Sequence, residues 1–150
     1  MPGFIVFGRI LFSVLFIYSG LSKLFAIAAT TESISTKIVI PGLLAPYTSQ
    51  LETMTGMTTP QMLAIATAAL ELISGLMIAL NFGTRFFAIL MIFFVAAATF
   101  YYHDFWNQSS PDDAQALVDA LKNVSIIGAL FMIAGYGRTR RTLEPVYADV

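Results

Sequence analysis

The chain has 150 residues, 57% of them apolar and only 11% charged, with a mean hydropathy of +0.78. A water-soluble domain carries about a quarter of its residues as charges, so this composition excludes an ordinary soluble domain and makes lipid the solvent. A net charge of -1 provides no basic stripe for a phosphate backbone, and the absence of Cys removes disulfides, thiolate catalysis and the CxxC motif.

A spanning helix needs ~20 mostly apolar residues. Four segments meet or approach that length, predicting an all-α, up-down-up-down four-helix transmembrane bundle as a single domain over 1–150. The first span is predicted over about 5–27. Arg9 before an apolar run resembles a secretory signal, but the stretch exceeds a normal signal core, so it is read as a retained span. An outer loop over 28–59 follows, rich in Thr and Ser and broken by Pro41 and Pro46. Its IVIPGLLAPY centre is apolar enough to lie in the interface or fold over the bundle mouth. The second span, about 60–80, opens on Pro60, and Asn81, Phe82 and Gly83 leave room only for a tight hairpin into the third, about 84–102. An acidic loop leads to the fourth, about 121–136. Arg9, Arg85, Arg138, Arg140 and Arg141 fall on one side, against Lys23, Lys37 and Lys122 on the other. Both termini are therefore expected in the cytoplasm.

An ionisable side chain in hydrocarbon costs at least ~2.5 kcal/mol on insertion scales, so it is paired or functional. Glu71 sits mid-span and shares its face with Ala64, Ala68 and Gly75, which predicts an inward carboxylate with Lys23 or Arg9 as partner. In the first span Arg9, Ser13, Phe16, Gly20 and Lys23 recur at steps of four and three. Arg85, Ile89, Ile92, Ala96, Thr99 and His103 do the same in the third, and both stripes are expected to face the interior. Lys23, His103, Asp104, Lys122 and Asn123 fall near the outer helix ends, where an antiparallel bundle gathers them at one depth. An outer polar pocket is predicted there, with Asp104 pairing a lysine and Tyr102 and Trp106 as walls. The structural alternative is that the lysines snorkel and the aromatics form an interfacial belt. One histidine with few carboxylates does not make a metal site.

The runs GRILFSVLFIYSGLSKLF, ELISGLMIALNFGTRFFAIL, YYHDFW and KNVSIIGALFMIAG, in that order, resemble the DoxX family of small bacterial and archaeal membrane proteins. On that resemblance Arg9, Gly20, Lys23, Glu71, Arg85, His103, Asp104, Lys122 and Asn123 occupy the family's recurrent polar and glycine positions. The resemblance implies residence in the inner membrane and a quinone-linked redox role beside a partner enzyme.

Two functions from different classes are compatible with these residues. The first is a membrane subunit binding a quinone or similar small lipophile at the outer pocket and working with a partner oxidoreductase. A ring carbonyl needs a donor such as His103 or Lys23, and reduction needs a proton relay such as Glu71 or Asp104. No haem ligand pair or glycine-rich phosphate loop accompanies them, so electrons would come from the partner. The second is a non-catalytic assembly or scaffold subunit of a larger membrane complex; a small oligomeric transporter is a third reading.

Overall fold

The computed structural model describes residues 3–102 and 113–136. Within them the elements are α1 (Gly3–Phe25), α2 (Ile27–Lys37), a 3-10 turn (Gly42–Leu44), α3 (Ala45–Thr55), α4 (Thr59–Ala79), α5 (Thr84–Tyr102) and α6 (Asp113–Tyr136). Four of these, α1, α4, α5 and α6, are long and apolar enough to cross a bilayer. The chain is thus an all-α, multi-pass membrane protein. Phe86, Phe93 and Phe100, one heptad apart on α5, are more than half exposed. Lipid is the solvent for which such a stripe is stable.

Helix α1 packs on α4 and α5 on α6, with a further contact between α4 and α5 joining the two pairs. The core they enclose contains Phe16, Ile78, Ala88, Met91, Val95 and Leu130. The α1–α4 contact is set by two glycines. A Cβ on Gly20 would stand 2.7 Å from both the Ala68 carbonyl oxygen and the Leu72 nitrogen, and one on Gly75 would stand 2.9 Å from Ile17 Cγ1. Each helix therefore presents a bare backbone to the other, the small-residue packing by which membrane helices approach closely.

Turn chemistry explains the short α4–α5 connection. Asn81 and Gly83 take positive φ values of 58° and 57°, the left-handed region that Gly and Asn tolerate best. The Phe82 amide reaches back to the Met77 carbonyl at 2.9 Å, closing the end of α4.

Three expectations are corrected here. The segment over 28–59 is not an open loop but is largely helical, and α2 lies along α4 with Ile34 buried. Its hydroxyls are accommodated because Thr30 and Thr31 donate to the carbonyls of Ala26 and Ile27 one turn back. Helix α6 begins eight residues before the expected 121, because its first turns are polar and fall outside a hydropathy criterion. Gln115 and Lys122 each donate to Asp119, at 3.0 and 2.9 Å, and support those turns. On α5 the inward face is Thr84, Ala88, Met91 and Val95, one residue earlier than the expected stripe, and Arg85, Ile89 and Ala96 are exposed. Thr84 and Ala88 are small enough for close helix contact, whereas Arg85 on that face would bury a guanidinium.

The α3–α4 corner carries a pH-dependent contact. Thr58 gives the α4 N-terminus no side-chain cap, and Glu52 takes that role: its carboxylate accepts from the Thr59 amide and hydroxyl at 2.6 and 2.7 Å. These bonds, the hydroxyl's first, hold the Glu52 carboxyl below its ordinary range. The bonds favour the ionised form, so their stabilisation is present above the unfolded carboxylate pKa and is lost as pH falls through the lower folded value. Amide exchange at Thr59 is expected to quicken, relative to the intrinsic rate, as pH falls below the ordinary carboxylate range. Glu52→Gln is expected to remove that pH dependence; an unchanged profile in the variant would refute the assignment.

Candidate functional site

Helix α1 ends in Lys23 and α4 carries Glu71 at mid-length, and their meeting depends on a vertical offset. Gly20 lies level with Ala68 and Leu72. Helix α1 therefore stops roughly 8 Å beyond that level, while α4 continues roughly 13 Å to Thr59. Helix α2 packs on the extra length of α4. Lys23 is thus held inside the bundle, where its Nζ lies 2.6 Å from Glu71 Oε1. This is the partnership expected for Glu71, and it replaces the snorkelling geometry for Lys23.

The pair is asymmetric in burial. The Glu71 side chain is 6% exposed and that of Lys23 31%. The ammonium also lies 5.5 Å from the centroid of the Phe94 ring, at cation–π range. Glu71 Oε2 and Ser74 Oγ, one turn apart on α4, are buried without a hydrogen-bond partner among the described residues. One carboxylate oxygen therefore binds the lysine and the other remains open to a donor.

Above the pair lies a cavity of about 750 Å³. Lys23 forms part of its wall and Glu71 does not, so the carboxylate stands behind the ammonium. Ser19 on α1, Thr30 and Ser33 on α2, and Thr67 on α4 provide hydroxyls, while Phe94, Tyr101 and Tyr102 on α5 provide the aromatic wall. Asn123 enters from α6 and donates to Thr99 Oγ1 at 3.0 Å, tying α6 to α5.

The structure brings together four of the residues singled out from sequence: Lys23, Glu71, Tyr102 and Asn123. Lys122 is not among them; its 2.9 Å contact is with Asp119 on its own helix, and its side chain is 65% exposed. His103, Asp104 and Trp106 lie outside the described residues. Arg9 donates to the Ala79 carbonyl at 3.5 Å at the opposite end of α4, and Gly20 sets the close approach of α1 to α4. The sequence reading missed Thr30, Ser33, Phe94 and Tyr101. The α2 residues were legible only as a helix, through the spacing of Ile27, Ile34 and Ile38.

Residues 4–104 match the family model DoxX. The chain is similar to Inner membrane protein YphA of Escherichia coli (strain K12), with 30% identity over 79 residues, covering 53% of this chain and 56% of that protein. It thus spans a little over half the length of that curated relative. No solved structure matches the chain.

Proposed function

The chain belongs to the DoxX family, and from that premise we propose that it is a membrane subunit binding a quinone, or a lipophile of similar shape, in the cavity above the Lys23–Glu71 pair. The observation that carries this reading is a 750 Å³ cavity combining an aromatic wall with one half-buried ammonium held by a buried carboxylate. That volume suits a small-molecule site, which typically spans ~300–1,000 Å³. Phe94, Tyr101 and Tyr102 offer faces for a planar ring, and Lys23 offers an N–H to a ring carbonyl.

Glu71 keeps the Lys23 side chain directed at the cavity wall. As electron density grows on a carbonyl oxygen during reduction, a fixed ammonium stabilises it, and its N–H is placed to donate a proton. The sequence contains no cysteine, so the electrons are assigned to a partner oxidoreductase. The mass spectrum of a solvent extract from protein purified in mild detergent is the direct test. We expect a co-purifying quinone near one per chain, and about tenfold less in the double variant Lys23→Met with Glu71→Leu, which removes the ammonium without stranding the buried carboxylate. If the wild type carries no quinone and shows no saturable uptake of a short-chain quinone, the scaffold reading replaces this one.

By likeness to the inner-membrane relative, and from the arginine asymmetry, the same proposal sets the protein in the inner membrane with both termini cytoplasmic. Four crossings put α1's start and α6's end on one side. A fluorescent reporter fused after Val150 is expected to fold and glow in the cytoplasm; a fusion active only outside would reverse the orientation.

A further inference from the structure

A second cavity, of about 250 Å³, lies at the end of the bundle that carries the termini, between α1 and α6 beside the α4–α5 turn. Its walls are apolar, with Ile5, Phe12, Met132 and Ile133 among them, and Arg9 is the charged residue that lines it. Arg9 lies roughly 9 Å along α1 from Gly3. Among the described residues its guanidinium makes one hydrogen bond, the long 3.5 Å contact to the Ala79 carbonyl, its Nε is buried without a partner, and no carboxylate pairs with it.

Among the described residues, five N–H donors on a permanent charge are thus served by one weak acceptor, a poor arrangement at membrane depth. A planar guanidinium in this position matches a phosphate, to which it can bond with two donors. Two further polar groups line the same cavity. Asn81 accepts from the Thr84 hydroxyl at 3.0 Å through Oδ1, which leaves its amide N–H groups for a second phosphate oxygen, and Tyr136 contributes a hydroxyl.

We propose that this cleft is a binding site for one anionic phospholipid, whose phosphate sits on Arg9 and Asn81 and whose acyl chain lies between α1 and α6. Basic pockets between membrane helices bind anionic headgroups in this way. The charge of Arg9 selects an anionic lipid over a second copy seated on the same face, because no acid lines the cleft that such a copy would bring to the arginine. The site is separate from the Lys23 cavity, at the other end of α1, and does not depend on a quinone being bound there.

Native mass spectrometry of the full chain, with dioleoyl phosphatidylglycerol or dioleoyl phosphatidylcholine added to the detergent, tests the proposal. The wild type is expected to retain phosphatidylglycerol about tenfold better. Arg9→Gln should abolish that preference. Ala129→Phe, which fills the cleft and leaves Arg9 in place, should reduce retention of both lipids and keeps the test decisive if Arg9→Gln fails to fold. Equal retention of the two lipids by the wild type would overturn the proposal. So would a preference that survives in Ala129→Phe, or a dimer that this substitution dissociates without any lipid dependence.

Discussion

Glu71→Ala is expected to lower the stability of the bundle by about 3 kcal/mol, which is toward the low end for breaking a buried ion pair. The low end applies because Lys23 keeps 31% of its side chain exposed and regains some solvation when its partner is lost. For a chain of this size that corresponds to a fall in apparent Tm of roughly 6–12 °C, readable by thermal unfolding in one fixed detergent. Most of the effect comes from stranding an ammonium beside Phe94 and Thr67, where few oxygens replace the carboxylate. The double variant Lys23→Met with Glu71→Leu should therefore recover to within ~1 kcal/mol of the wild type, since both desolvation penalties disappear together. If the double variant is as unstable as Glu71→Ala, the pair contributes specific structure that packing does not replace. Recovered stability without quinone retention would separate the pair's chemical role from its structural one.

Gly20→Leu is expected to be more disruptive and to abolish folded protein. A Cβ at Gly20 already meets the α4 backbone at 2.7 Å on two atoms, and backbone cannot rotate aside as a flexible side chain does. The helices must separate along the contact that holds Lys23 at the depth of Glu71. Even Gly20→Ala should cost ~1–3 kcal/mol by overpacking. Gly128→Ala is the matched control: nothing lies within 4 Å of its added Cβ, and helix propensity then favours alanine by roughly 0.5–1 kcal/mol. Monodisperse yield after size-exclusion chromatography separates these outcomes. A stable Gly20→Leu protein would mean that α1 and α4 do not pack as described.

The Gly20 geometry also explains why Lys23 and Glu71 were recognisable as partners before any coordinates. Hydrocarbon makes an unpaired charge so expensive that a mid-span acid restricts its own list of partners, and small residues at 64, 68 and 75 mark the face on which it looks for them. Lys122 is different in kind: its side chain is 65% exposed, and its partner is an acid three residues earlier on α6 itself. The inward face of α5 lies one residue from the polar stripe because the charge at a helix end does not point inward. Arg85, at a helix end, obeys the interface instead.

Composition and periodicity by themselves determined that this is a four-span, all-α membrane protein, because spanning length and apolarity are properties of each segment alone. They also determined the tight α4–α5 turn and the inward face of Glu71. Only the tertiary structure decided that α1 stops short of the Thr59 end of α4, that α2 occupies the step, and that the resulting space is a cavity walled by five helices with Lys23 at its edge. Those facts depend on the register between helices, which the close approach at Gly20 and Gly75 sets. A hydrophobic pattern reports which face of a helix turns inward but not how far one helix is shifted along its neighbour.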